Sequence, residues 1–327
     1  MATGGFNIIL VTGCAGFIGW KTCGLLLEKG EEVIGIDNLN NFYDPIIKDW
    51  RLNELQKNDS FSFTKLDISQ IEPVRSFFHK HNPEAVINLA ARAGVRASVE
   101  NPWSYVDTNV TGTLNLLELC REFDIKKFIL ASTSSLYGTN KMPFSEEDRT
   151  DGPLSPYAAT KKAAEAMCYT YHYLYGIDIT IPRYFTVYGP AGRPDMSMFR
   201  FIKNINEGKI IRVFGDGKQK RDFTYVDDIA AGTVKALKPL GYEIINLGNN
   251  NPVELMYVIN LIETNLGKKA KMKFMSRHPA DVLETCADIG KAGRLLGWKP
   301  QVRIDEGVKR TVKWHLSHSE MMKKVKL

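Results

Sequence analysis

The sequence predicts an α/β fold: a doubly wound parallel sheet followed by a smaller, mixed α/β domain. Two patterns lead there. In the first half, short β-branched runs alternate with longer amphipathic stretches, the arrangement of parallel strands wrapped by helices. After Tyr184 that rhythm breaks at Gly189-Pro190-Ala191-Gly192-Arg193-Pro194, where clustered turn formers mark a domain boundary.

Taken in order, strands are expected at residues 7–11, 32–36, 61–65, 85–88, 128–131 and 177–181, with helices at 18–28, 73–79, 113–121 and 157–175 between them. Beyond the boundary come helices at 196–207, 253–265 and 304–316 and short strands at 210–214, 243–247 and 271–275, too irregular for a second nucleotide fold. This divides the chain into 1–184, Rossmann-like, and 185–327, with part of about 223–250 returning to the first domain.

Composition excludes several classes. With 44% hydrophobic and 24% charged residues the chain is ordinary globular protein, not disordered, collagen-like or coiled coil. Its 327 residues can bury roughly 75% of the unfolded surface, enough for a core without disulfides or metals. No apolar run reaches the ~18 residues of a membrane span and residues 1–10 lack the basic flank of a signal peptide, so no membrane partner and a cytoplasmic location are expected. The five cysteines (Cys14, Cys23, Cys120, Cys168, Cys286) are scattered and never spaced CxxC, which points to packed thiols and no metal site. The net charge of +6 is dispersed, without the aromatic-interleaved stripe of a nucleic-acid binder, and the basic end at Lys323, Lys324 and Lys326 reads as solvated.

The first chemical signal is the turn Thr12-Gly13-Cys14-Ala15-Gly16-Phe17-Ile18-Gly19. Gly13 permits a tight bend, Gly16 lets the backbone approach a pyrophosphate, and Gly19 lets the helix opened by Phe17 and Ile18 pack close to the sheet. Glycine triplets alone are weak evidence. Here strand, turn and helix are followed by Asp37 at the end of the second strand, which makes this a dinucleotide site. Asp37 can accept hydrogen bonds from both ribose hydroxyls of NAD, whereas a 2′-phosphate would face its charge, so the expected cofactor is NAD. Asp67-Ile68, past the third strand, reads equally as an adenine contact or as the N-cap of the next helix.

The second signal is Tyr157-Ala158-Ala159-Thr160-Lys161, which places a phenol and an ammonium four residues apart on one helical face. A phenol titrating at about 10 is a poor base at neutral pH, but a neighbouring lysine cation and the positive nicotinamide of bound NAD favour the phenolate. It could then take the proton of a sugar hydroxyl as hydride leaves the same carbon. Ser132-Thr133-Ser134-Ser135 follows the fifth strand directly, at the carboxyl edge where such sheets bind ligands.

With Asn88-Leu89-Ala90-Ala91, Asn109, Arg183-Tyr184-Phe185 and Arg221-Asp222-Phe223-Thr224-Tyr225-Val226-Asp227-Asp228, these motifs resemble the extended short-chain dehydrogenases/reductases, the sugar-nucleotide epimerases and dehydratases, over nearly the whole chain. The resemblance implies that Thr133 and Tyr157 act on the substrate hydroxyl and that Lys161 holds the nicotinamide ribose and tunes the tyrosine. It implies that Leu89, Ala90, Ala91 and Asn109 join the cofactor site, that NAD stays bound through turnover, and that a homodimer forms on the helices containing Leu116 and Met167.

Dehydratases of this group need an acid and a carboxylate after the catalytic threonine. Ser134 and Ser135 can be neither, which disfavours dehydration. UDP-glucuronate decarboxylases usually carry Glu at the Ser135 position and Asn at the Thr186 position, and neither is present. Arg183-Tyr184-Phe185-Thr186-Val187-Tyr188-Gly189-Pro190, Arg92-Ala93-Gly94-Val95-Arg96 and Asn41-Phe42-Tyr43-Asp44-Pro45 instead resemble the UDP-glucuronate 4-epimerases. A substrate carboxylate gains from hydroxyl donors at Ser134, Ser135 and Thr186 and from Arg193. Arg221 is expected on the diphosphate and Phe214 either on uracil or in the core. The family often has Arg-x-Gly-Asp at the nucleotide ribose; Asp281 matches, His278 and Ala280 depart, and Arg277 could substitute. The expected substrate is therefore a UDP-hexuronic acid. The alternatives are a UDP-glucose/UDP-galactose 4-epimerase and, from another class, a silent NAD-sensing or scaffold protein, which intact Thr133, Tyr157 and Lys161 disfavour.

Overall fold

The computed structural model describes residues 6–276 and 282–327. The first half runs β1 (Ile8–Thr12), α1 (Phe17–Glu28), β2 (Glu32–Asp37), α2 (Ile46–Leu55), β3 (Phe61–Lys65), α3 (Ile71–His81), β4 (Ala85–Asn88), α4 (Val95–Glu100), α5 (Trp103–Tyr105), α6 (Gly112–Glu122), β5 (Lys127–Leu130), β6 (Ser132–Thr133), α7 (Pro156–Tyr175) and β7 (Asp178–Tyr184). It continues with β8 (Thr186–Tyr188), α8 (Ser197–Asn206), β9 (Ile210–Phe214), β10 (Lys220–Tyr225), α9 (Val226–Lys235), β11 (Tyr242–Leu247), β12 (Pro252–Glu254), α10 (Leu255–Leu266), β13 (Lys271–Met275), α11 (Gly290–Leu296), α12 (Ile304–Ser317) and α13 (Ser319–Lys324).

The main sheet has the order β11-β7-β5-β4-β1-β2-β3, with β6 beside the end of β7, and every pairing in it is parallel. A parallel sheet is covered on both faces, so its central strands must be apolar on both. Leu10, Ile34, Val86 and Phe128 meet α3, α6 and α7 on one side, while Ile9, Val11, Ile87 and Ile129 meet α1 and α9 on the other. The direction of winding reverses between β1 and β4, which opens a crevice at their carboxyl ends. Two smaller sheets, β12-β10-β8 and β13-β9, pack with α8, α10 and α12 around a separate apolar cluster.

Several elements depart from expectation, α9 and α11 among those not foreseen, and two of the departures have a clear physical reason. The helix expected at 253–265 begins only at Leu255, because Pro252–Glu254 pair antiparallel with β10, the partner strand taking residues that also fit a helical period. The helix α2 was not expected at all. Lys48 and Arg51 are among its buried residues, and charged side chains on the inner face hide the apolar stripe that betrays a helix.

Candidate active site

The crevice at the carboxyl ends of β1 and β4 holds a cavity of about 390 Å³, within the ~300–1,000 Å³ range of cofactor clefts. Gly13, Gly16, Phe17, Ile18, Gly19, Asp37, Asp67, Ile68, Leu89, Ala90 and Ala91 all line it. Gly13 sits at φ +69°, and a Cβ there would lie 2.7 Å from the Ala90 nitrogen; at Gly19 it would lie 2.1 Å from the Gly13 carbonyl oxygen. The turn is thus a bare backbone cradle. Gly16 caps α1 without a side-chain acceptor, so the first N–H groups of that helix remain available to an anion. This donor set fits the diphosphate of NAD.

Asp37 Oδ1 accepts from the Leu39 amide at 2.8 Å and lies 3.7 Å from Lys48 Nζ. Asp67 is not the N-cap of α3, which is Gln70. Its oxygens accept instead from the Ser69 amide and hydroxyl and from Asn38 Nδ2. Burial pushes the Asp67 carboxyl upward, and these bonds more than offset it, leaving its pKa below the ordinary value. Asn109 is placed differently from expectation. It lies 1% exposed, behind the cavity wall. Its Oδ1 accepts from the Arg92 amide at 2.8 Å and its Nδ2 donates to the Arg92 carbonyl and Thr160 Oγ1, so both ends are used on protein.

On the opposite wall, Ser155 caps α7 by accepting from the Ala158 amide, and Pro156 starts the helix with its φ already set. That delivers Tyr157 and Lys161 to the cavity. Thr133, at the end of β6, lies beside the Tyr157 phenol, accepts from the Ser135 amide at 3.1 Å and donates to the Ser135 hydroxyl at 3.2 Å. Below them a fully buried pair, Arg183 with Glu165 at 2.8 Å, ties α7 to β7 and receives the Ser132 hydroxyl. Lys161 Nζ donates to the Ala131 carbonyl at 2.8 Å. Burial brings its pKa down to about 8, against the pull of Glu165. The joint action of Lys161 and the nicotinamide expected on the tyrosine belongs to the NAD-bound state; in the free protein other groups act on it. Burial raises the Tyr157 phenol, and the groups drawing it back down are Thr133 and the Arg193 cation.

Ser134, Ser135, Thr186 and Arg193 open into the same cavity. Arg193 closes its fork on Asp195, with Nε to Oδ1 at 3.0 Å and Nη2 to Oδ2 at 2.6 Å, and lies between the Phe42 and Tyr43 rings. Phe214 and Arg221 do not line this cavity. Phe214 ends β9, half-buried and outside the core clusters, with the Arg96 guanidinium 3.9 Å from its ring centre. Arg221 Nη1 donates to the Lys220 and Leu283 carbonyls. Arg277, His278 and Asp281 fall outside the described residues. Among the lining residues that chemical reasoning missed are Lys48, Phe42, Tyr43 and Arg92; the last three were present only in stretches that carried the family resemblance. Among the described residues no group of three or more metal-ligating side chains forms.

Residues 10–311 match the family of GDP-mannose 4,6 dehydratases. The chain is 58% identical over 319 residues to a UDP-glucuronate 4-epimerase of Thermodesulfobacterium geofontis, covering 97% of this chain and 99% of the relative. Among solved structures, the UDP-glucuronic acid 4-epimerase of Bacillus cereus in complex with UDP-glucuronic acid and NAD superposes with a TM-score of 0.90 at 39% identity, over 95% of this chain and 99% of that one. A UDP-glucose 4-epimerase of Thermotoga maritima gives 0.88 at 33% identity, over 95% and 99%. A glycine-cradled cleft facing a Thr-Tyr-Lys wall, together with matches of this extent, makes the chain a member of the GDP-mannose 4,6 dehydratase family of extended short-chain dehydrogenases/reductases.

Proposed function

We propose that the chain is an NAD-dependent UDP-glucuronate 4-epimerase that inverts carbon 4 to give UDP-galacturonate. One observation carries the reading: the Tyr157–Thr133 pair opens into the same cavity as Ser134, Ser135, Thr186 and Arg193. That places hydroxyl and guanidinium donors for a carboxylate beside a base for the neighbouring hydroxyl, with no acid–carboxylate couple at 134 and 135 to expel water. The names of the relatives from Thermodesulfobacterium geofontis and Bacillus cereus support it.

NAD bound at the glycine turn would accept a hydride from carbon 4 and return it. Asp37 holds the adenosine ribose, Lys161 the nicotinamide ribose, and the α1 N-terminus the diphosphate. Tyr157 takes the 4-hydroxyl proton, and Thr133 shares it. In the free protein burial opposes loss of the phenolic proton; the Arg193 cation and a charged Lys161 favour it. The resulting 4-keto uronate is a β-keto acid, prone to lose carbon dioxide when the bond to the carboxylate stands perpendicular to the carbonyl plane. Ser134, Ser135, Thr186 and Arg193 hold that bond away from perpendicular while the sugar turns its other face. Phe214, Arg221 and Asp281 serve the nucleotide from the second domain, residues 185–327 less the part of about 223–250 that joins the first.

The exposed apolar side chains of α7, Tyr169, Tyr173 and Leu174, and Trp103 of α5 suit a homodimer built on α6 and α7. Leu116 turns the inner face of α6 into the core, which leaves the opposite face of that helix for a partner. We also place the protein in the cytoplasm, where buried, unpaired thiols such as Cys120 and Cys168 persist. No helix of the described residues is long and apolar enough to cross a membrane.

A second reading, a UDP-glucose/UDP-galactose 4-epimerase, is favoured by the Arg193 fork being closed on Asp195. Product analysis separates them. Incubation with UDP-glucuronate should yield UDP-galacturonate far faster than UDP-glucose yields UDP-galactose; the reverse order would establish the neutral enzyme.

A further inference from the structure

Arg51 lies on α2, outside the cavity, and is completely buried. Its guanidinium donates from Nη1 to the Ala15 carbonyl at 3.0 Å and to the Tyr43 hydroxyl at 2.9 Å. From Nε and Nη2 it reaches the Ala191 carbonyl at 3.1 and 2.7 Å, and from Nη2 the Gly192 carbonyl at 3.1 Å. Every one of these bonds ends on a carbonyl or a phenol, none on a carboxylate. A buried cation compensated only by dipoles is costly to keep where mere packing is needed, and an apolar side chain of similar volume would do that task. What sets Arg51 apart is which segments it joins. Ala15 belongs to the glycine turn, Tyr43 to the segment after β2 that lines the cavity, and Ala191 and Gly192 directly precede Arg193.

The backbone at Ala191 needs such a grip. It is held at φ +52°, the left-handed region that a non-glycine residue adopts at a cost, and its side chain is fully buried. The same carbonyl that Arg51 clamps from two nitrogens belongs to this strained residue, two positions before the side chain that draws down the Tyr157 phenol. Only the planar fork of arginine can hold adjacent carbonyls and reach two further segments at once.

Resting on the uronate reading above, we propose that Arg51 is a positioning residue: it locks the loop carrying Arg193 to the dinucleotide turn, so that Arg193 is presented to the substrate carboxylate in one geometry. It touches neither substrate nor cofactor. Its loss would free the carboxylate-facing loop; part of the keto intermediate would then lose carbon dioxide, take up a proton at carbon 5 in its place and receive the hydride back at carbon 4 from NADH, giving a UDP-pentose and NAD.

The test is Arg51→Lys, which keeps the charge and the aliphatic stem but not the fork. With UDP-glucuronate and NAD, the ratio of UDP-pentose to UDP-galacturonate should rise roughly tenfold, the scale of a small misplacement of reacting groups. The double variant with Arg193→Met should show no greater ratio than Arg193→Met alone. Slower turnover at an unchanged product ratio would reduce Arg51 to a structural role and overturn the proposal, as would an additive double variant. Should Arg51→Lys not accumulate folded, the same comparison is made in an Ala191→Gly background, where glycine takes φ +52° without strain; an unchanged ratio there overturns it equally. A wild-type protein that leaves UDP-glucuronate untouched would sink the uronate reading and this proposal together. A wild type that epimerises the acid, with a variant of unaltered ratio, would sink this proposal alone.

Discussion

Burial weakens the hold of a lysine on its proton, and Lys161 carries that cost inside the site. Its folded pKa, about 8, lies below the 10.5 of a free lysine, so the unfolded chain binds the proton more tightly. The stability this group withholds is missing below about pH 8 and is recovered as pH rises from there toward 10.5. Lys161→Met should therefore raise the stability of the cofactor-free protein at pH 7 by about 2 kcal/mol, allowing for the lost bond to Ala131, while abolishing turnover. The gap to wild type should close by about pH 10.5, which denaturant melts of both proteins across that range would reveal. Thr186→Val makes a different prediction. It keeps the shape but removes a hydroxyl facing the sugar, so a pentose product should appear alongside slower epimerisation; slower turnover with no pentose would count against Thr186 as a carboxylate anchor. Both residues were named from sequence because each lies in a short motif. What the motif around Tyr157 did not reveal is that burial, and Arg193 36 positions away, also act on its phenol.

At the scale of elements, the junction of β1 with α1 is the most constrained piece of backbone in the site. A methyl at Gly19 would stand 2.1 Å from the Gly13 carbonyl, and that oxygen is backbone and cannot swing aside. Gly19→Ala should push α1 away from the turn, costing about 1–3 kcal/mol as overpacking does. It should also weaken NAD binding by at least tenfold in a calorimetric titration; unchanged affinity would show that α1 does not hold the diphosphate. This junction was legible because a glycine spacing states a backbone requirement directly. The helix α2 was not legible, since its buried face carries Lys48 and Arg51, and a charge pointing inward is intelligible only once Asp37, Ala15 and Ala191 are seen around it.

Across the whole molecule, the long helix α7 turns one face to the site and leaves others outward. Tyr173 is 77% exposed and Leu174 57%, a large apolar outlay for a face meeting only water. Tyr173→Glu with Leu174→Glu should convert the proposed homodimer to monomer, as sedimentation would show; an unchanged species would place the interface elsewhere. The doubly wound sheet, the glycine turn, Asp37 and the Tyr157–Lys161 pair could all be read from the chain alone, because each is a statement about neighbours a few residues apart: a period, a φ angle, a helical face. Only the folded molecule decided that Asn109 backs the wall instead of lining it, that Arg193 is already held by Asp195, and that Arg51 ties three loops together. The first and last of those outcomes depend on partners 17 and 140 residues apart, and the Arg193–Asp195 pair, two residues apart, on a competition for the guanidinium that only the folded site resolves; local sequence carries no record of either.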